Sequence, residues 1–156
     1  MIRLNIESVV ILTRLFLPYM KQLDNAYILN LGSIASFYPI PFKIVYAGSK
    51  SFVYSFSRAL KEELKYTSVN VSVLCPGPIM PNQEVINRIR HSGFWGKMST
   101  MRANKMAKIA ISKLLKGQTL IIPGAANKLF LTLNQLLPTP LKEKFLFRKF
   151  NVNDKI

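Results

Sequence analysis

NLGSIASFYPIPFKIVYAGSK, residues 30–50, decides how this chain reads. Tyr46 and Lys50 stand four apart, and Ser33 lies thirteen positions before the tyrosine. On a helix, residues i and i+4 share a face one turn apart. AYILNLG, 26–32, is short, apolar on both faces and closed by a glycine, which suits a central strand of a parallel sheet. Beyond Pro39 and Pro41, a helix is expected from about Lys43 to Tyr66, with Phe52, Phe56, Leu60 and Leu64 making one apolar face. VNVSVLCPG, 69–77, reads as a second buried strand stopped by Pro76-Gly77. Strand, helix, strand is one crossover unit with parallel strands. Ser33 then sits at the carboxyl end of a strand, where open α/β sheets bind ligands, and the start of the Tyr46 helix is at the same edge.

Outward from this unit, residues 4–23 read as a helix whose Val9, Leu12, Leu15 and Phe16 share a face. Residues 78–100 look like an irregular loop with a short helix. A basic amphipathic helix follows over 103–116, with Met106, Ile109, Ala110 and Leu114 inward, and a third strand over 119–124. The tail is helical, apolar and basic by turns. The expected organisation is an α/β unit over 1–125 and a basic amphipathic helical tail over 126–156. Three strands are few for a doubly wound sheet, and the chain opens inside a helix; both suggest further sequence on the N-terminal side.

A tyrosine hydroxyl titrates near ~10, too high for ready proton exchange at neutral pH. Lowering it by about 3 units needs roughly 4 kcal/mol of preference for the phenolate. A cation about 4 Å away supplies roughly 4 kcal/mol at an effective dielectric near 20. Lys50 could therefore tune Tyr46 to pass a proton to or from a carbonyl oxygen that Ser33 holds by hydrogen bond. The pair alone is weak evidence, since a chain of this make-up yields roughly 0.6 such spacings by chance. Its setting strengthens it: a strand ending at Ser33, a proline-marked loop, small Ala47-Gly48-Ser49 inside the motif, and the Pro-Gly stop.

As a set, these residues resemble the short-chain dehydrogenase/reductase family. The resemblance covers residues 3–82 and extends loosely through 105–124. It implies a partial Rossmann-like, doubly wound parallel sheet and NAD(P)-dependent hydride transfer to or from a small apolar carbonyl or alcohol. It implies Tyr46 as acid/base, Ser33 as the partner of the substrate oxygen, and Lys50 as the residue that lowers the tyrosine pKa and holds the nicotinamide ribose. Asn5 stands where the family places a proton-relay residue. Pro76, Gly77 and Ile79 correspond to backbone that lines the nicotinamide. Gly32 replaces a frequent Ser, expected without consequence, and Pro81 replaces a Thr that bonds the cofactor. The family's glycine-rich phosphate loop, G-x-x-x-G-x-G, is not found in these 156 residues. The expectation is a C-terminal portion with impaired cofactor binding, a homo-oligomer in its full-length form, with NAD against NADP undecided.

Net charge is +15, and residues 87–156 carry +12 of it: 14 Lys and Arg against Glu143 and Asp154. Such a surface attracts anionic partners, or is balanced by carboxylates elsewhere. No nucleic-acid reading motif accompanies it, so nucleic acid is not an expected partner. Leu129, Phe130, Leu133, Leu136 and Leu137 with flanking lysines could lie in a bilayer interface or pack on the body or a subunit; a catalytically silent membrane-surface or subunit module is the alternative function. One cysteine excludes an internal disulfide and fits a cytoplasmic setting, membrane-peripheral if the tail binds lipid. Cys75, ending an apolar strand, reads as an inert buried thiol; His91 reads as a surface residue; Phe94, Trp95 and Met98 form either a substrate lid or ordinary packing. No residue cluster has metal-ligand spacing.

Overall fold

Strands β1 (Ala26–Leu31) and β2 (Val69–Leu74) pair in parallel along their whole length in the computed structural model of the chain, Ala26 opposite Val69 and Leu31 opposite Leu74. The structure describes residues 1–80, 101–136, 138, 140, 141 and 144. Pro81, His91, Phe94, Trp95, Met98 and Leu137 lie outside them. Two-residue strands β3 (Ile79–Met80) and β4 (Met101–Arg102) form a separate parallel pair. The third strand of the main sheet, β5 (Leu120–Ile121), is shorter than the expected 119–124 and pairs with β2. β2 is therefore the central strand. β1, expected to be central, is at the edge of this sheet, and its Leu31 is 59% exposed.

Helices cover both faces because side chains on a strand alternate in direction. Ile28 turns to one face, where Val69 and Val71 meet Leu60 and Leu64, with Leu17, Met20 and Phe56 packed around them. Those residues come from α1 (Ser8–Met20), preceded by a π-helical turn (Arg3–Glu7), and from α2 (Ile44–Glu63) and its end. Leu29 turns to the opposite face, against Met106 and Ala110 of α3 (Ala103–Leu115) with Leu74 and Ile121. This is the expected three-layer arrangement, three parallel strands with flanking helices.

A polar bolt crosses the first layer: Asn30 of β1 donates from Nδ2 to Ser57 Oγ of α2 at 2.9 Å, and Ser57 donates to Val53 O at 2.7 Å. Both residues are buried, so satisfying each other avoids a desolvation cost of about 1–3 kcal/mol. The expected face of α1 is only partly used. Val9 packs inward, but Leu12, Leu15 and Phe16 are each more than half exposed, and Leu17 and Met20 carry the packing.

The last helix, α4 (Ala125–Leu136), lies on the body of the protein through Asn127 and Leu131, both buried. Phe130 meets Tyr38 edge to face, at 5.9 Å between ring centroids. Leu129, Leu133 and Leu136 face outward. No helix among the described residues is long and apolar enough to cross a membrane.

Candidate active site

Ser33 leaves β1 in extended backbone and caps a 3-10 turn, Ile34–Phe37. Its Oγ accepts the N–H of Ala35 at 3.1 Å. A hydroxyl that accepts in this way keeps its own proton to donate. No acceptor for that proton is present among the described residues. Tyr46 occupies the first turn of α2 and packs, half-buried, against the cluster formed by Ala35, Ile40 and Ala47, Ala35 belonging to the turn that Ser33 caps.

Asn5 arrives from the π-helical turn ahead of α1. Its Nδ2 donates to Ser49 Oγ at 3.0 Å, and Ser49 Oγ donates to the carbonyl of Tyr46 at 2.8 Å. The asparagine thus reaches α2 between the tyrosine and the lysine. Ser49 matters through its hydroxyl, whereas the sequence shows it only as one of three small residues. Lys50 donates from Nζ to the carbonyl of Leu31, the last residue of β1, at 2.8 Å. Partial burial pulls the lysine below its ordinary pKa. Cys75, the group whose charge would oppose that, is itself pushed up to about 11 by burial, so at neutral pH it is an uncharged thiol and the downward pull stands.

Cys75 is fully buried beside this cluster, consistent with an inert role; the Ser33 N–H, the Ser36 hydroxyl and Lys50 all stand close enough to influence it. A Cβ at Gly32 would lie 2.8 Å from Cys75 Sγ and 3.2 Å from Val73 Cγ2. A Cβ there would force the Cys75 or Val73 side chain to shift, so Gly32, expected to be without consequence, bears on the packing under Ser33.

Pro76 and Gly77 form the turn after β2. Pro76 O accepts the N–H of Ile34 at 3.0 Å, which ties this turn to the one after Ser33. A Cβ at Gly77 would meet the Asn127 side chain at 2.6 Å. That amide is held by a bond from Nδ2 to Pro123 O at 2.8 Å. No sequence pattern marks Asn127 as packing here. Ile79 packs partly into the α3 cluster. The structure brings Asn5, Ser33, Tyr46 and Lys50 into one bonded and packed neighbourhood at the carboxyl edge of the sheet, with Pro76–Gly77 adjoining. An open apolar cavity of about 860 Å³, with Tyr38, Ile40, Ala47 and Gly48 in its wall, lies alongside; Ser33, Tyr46 and Lys50 are not in its lining. It borders the tyrosine's packing cluster without reaching the reactive groups. No group of three or more His, Cys, Asp or Glu that could hold a metal occurs among the described residues.

A parallel sheet sandwiched by helices, with Ser33, Tyr46 and Lys50 toward its carboxyl edge, defines a Rossmann-like α/β architecture. The short chain dehydrogenase family pattern matches residues 1–88, and the chain belongs to that family. It is 30% identical over 158 residues to the ketoacyl reductase HetN of Nostoc sp., covering 96% of this chain and 53% of that protein. Over 77 residues it is 44% identical to a Haemophilus influenzae protein described as a probable NADP-dependent dehydrogenase, covering 49% of this chain and 31% of that one. The chain thus spans about half the length of HetN and about a third of the second relative. Among solved structures, a 7beta-hydroxysteroid dehydrogenase superposes with a TM-score of 0.73 at 17% identity, over 94% of this chain and 56% of the other; it attests the fold.

Proposed function

We propose that this chain carries the proton-transfer machinery of an NAD(P)-dependent reductase acting on a small apolar carbonyl, or on the corresponding alcohol in reverse. The observation that carries the reading is the capped Ser33 hydroxyl: its oxygen accepts the Ala35 N–H, leaving its proton for a substrate oxygen, and Tyr46 packs against the cluster that contains Ala35. Tyr46 gives a proton to that oxygen during reduction and recovers one during oxidation. Lys50 stands one helical turn from the tyrosine on the same face of α2. Asn5 holds the Tyr46–Lys50 turn through Ser49.

The described residues fit the nicotinamide half of the cofactor. Lys50 has three N–H donors and commits one to Leu31 O, so two remain for ribose hydroxyls. Pro76, Gly77 and Ile79 would contribute backbone, because Asn127 fills the space where a Gly77 side chain would be. The bound nicotinamide would supply or accept the hydride. The names of the ketoacyl and NADP-dependent relatives support an apolar carbonyl substrate and a pyridine nucleotide.

The test is coenzyme oxidation by the purified chain with NADPH or NADH and a 3-oxoacyl thioester. Tyr46→Phe removes only the hydroxyl. It should lower kcat at least about 100-fold while coenzyme affinity, read by fluorescence titration, stays within about threefold. Equal turnover in the variant refutes the role of Tyr46, and a wild-type chain that neither binds nor oxidises either coenzyme refutes the reading.

A further inference from the structure

Ser36 has no part in the proton chemistry above, yet it is buried and bonded on every side. Its Oγ donates to the carbonyl of Lys50 at 2.8 Å and accepts the N–H of Ser33 at 3.3 Å. Its own N–H donates to Ser33 O at 2.9 Å, and its carbonyl accepts the hydroxyl of Ser51 at 2.9 Å. One small residue therefore grips the backbone of Ser33 on one side and the Lys50–Ser51 turn of α2 on the other. The Cys75 thiol lies against the same junction and is fully buried, while Ser36 and Ser51 border the apolar cavity on the other side.

We propose that Ser36 is a positioning residue that fixes the Ser33 hydroxyl relative to the Tyr46–Lys50 face of α2. The proposal rests on the carbonyl-reductase reading. Ser33 and Lys50 belong to different elements, and the spacing between a strand end and a helix is soft unless something spans it. The Lys50 ammonium on Leu31 O is one tie, made by a long flexible side chain. The Ser36 hydroxyl is a second, short and rigid, and it acts on the serine's own peptide. Removing it leaves the Ser33 N–H without its oxygen acceptor and the Lys50 carbonyl without its donor, so that the Ser51 hydroxyl on Ser36 O is the short tie left between the 3-10 turn and α2. A displacement of about 1 Å in a reacting group can cost about 100-fold in rate.

The experiment compares Ser36→Ala with Ser36→Thr, which keeps the hydroxyl. Ser36→Ala should lower kcat about 10- to 100-fold, shift the pH profile of kcat/KM, and leave coenzyme affinity within about threefold. Ser36→Thr should recover kcat to within about threefold of wild type even where its extra methyl lowers the melting temperature. An unchanged kcat in Ser36→Ala, or an equal kcat loss in both variants that follows thermal stability, overturns the proposal. Amide hydrogen exchange gives a readout independent of turnover. Ser36→Ala should speed exchange at the Ser33 amide at least about tenfold while Leu29, inside β1, is unaffected. Unchanged protection at Ser33 overturns the proposal whatever the kinetics show. If the wild-type chain does not turn over, the reductase reading fails by itself, and the exchange comparison still decides whether Ser36 holds the two elements together.

Discussion

Replacing Gly32 by Ala tests the packing beneath the serine directly. The new methyl carbon would sit 2.8 Å from Cys75 Sγ, 3.2 Å from Val73 Cγ2 and 3.4 Å from Leu74 O. Ordinary carbon contacts lie near 3.5–4.0 Å, so the sulfur contact is short by about 0.7 Å or more. Neither neighbour can step aside, since Val73 and Cys75 are both fully buried. Overpacking of this kind costs about 1–3 kcal/mol, and the rigidity of both neighbours puts this case near the upper end. Cys75→Ala alone removes the offending atom and leaves a small void worth about 1 kcal/mol. The double variant should therefore be more stable than the sum of the singles predicts, by about 1–2 kcal/mol of coupling. Urea denaturation of the four proteins, read by circular dichroism, measures the cycle. A neutral Gly32→Ala, or strictly additive losses, would refute the claim that the thiol dictates the glycine.

Alkaline stability follows from two buried acids: burial raises the Cys75 thiol to about 11 and the Tyr38 phenol to about 12. An acid held neutral in the folded state stabilises it less and less as pH climbs past the unfolded pKa. Stability should fall between pH ~9 and ~11 for the thiol and between ~10 and ~12 for the phenol, at most about 1.4 kcal/mol per pH unit for each. Lys50, shifted down, has the opposite sign and offsets part of this fall as pH rises through its folded pKa. Urea midpoints against pH should be shallower over the first interval in Cys75→Ala; an identical slope would contradict the shift. Self-association is expected through α1, where Ile11, Leu12, Leu15, Phe16 and Tyr19 stand exposed. Light scattering should show Leu15→Glu with Phe16→Glu reducing the wild-type assembly to monomer, and a monomeric wild type would remove this expectation.

Much of the fold was legible because its signals are local. β2 is an apolar run closed by Pro-Gly, and α3 buries Met106 and Ala110 at the period the sequence displays. α1 misled because it is apolar nearly all round. Val9, Val10, Ile11, Leu12, Leu15, Phe16 and Leu17 offer several stripes at helical spacing, and the sheet selected the one that includes Leu17. β3 and β4 are two residues each, too short for any periodicity. At the site, the placement of Ser33, Tyr46 and Lys50 toward one edge of the sheet was legible from their spacing within the strand-loop-helix unit, since a strand end and one helix place them. Ser36, Ser49 and Asn127 could not. Their work lies in partners distant in sequence, and a serine or an asparagine looks the same on the page whether it faces water or spans two elements.

Asn127 and Phe130 sit three apart on α4, one against Gly77 and the other against Tyr38. The Pro76–Gly77 turn and the loop that carries Tyr38 are thereby braced against one helix. A side chain added at Gly77 would press on α4 itself, so a change in that turn is a change in how the last helix is seated.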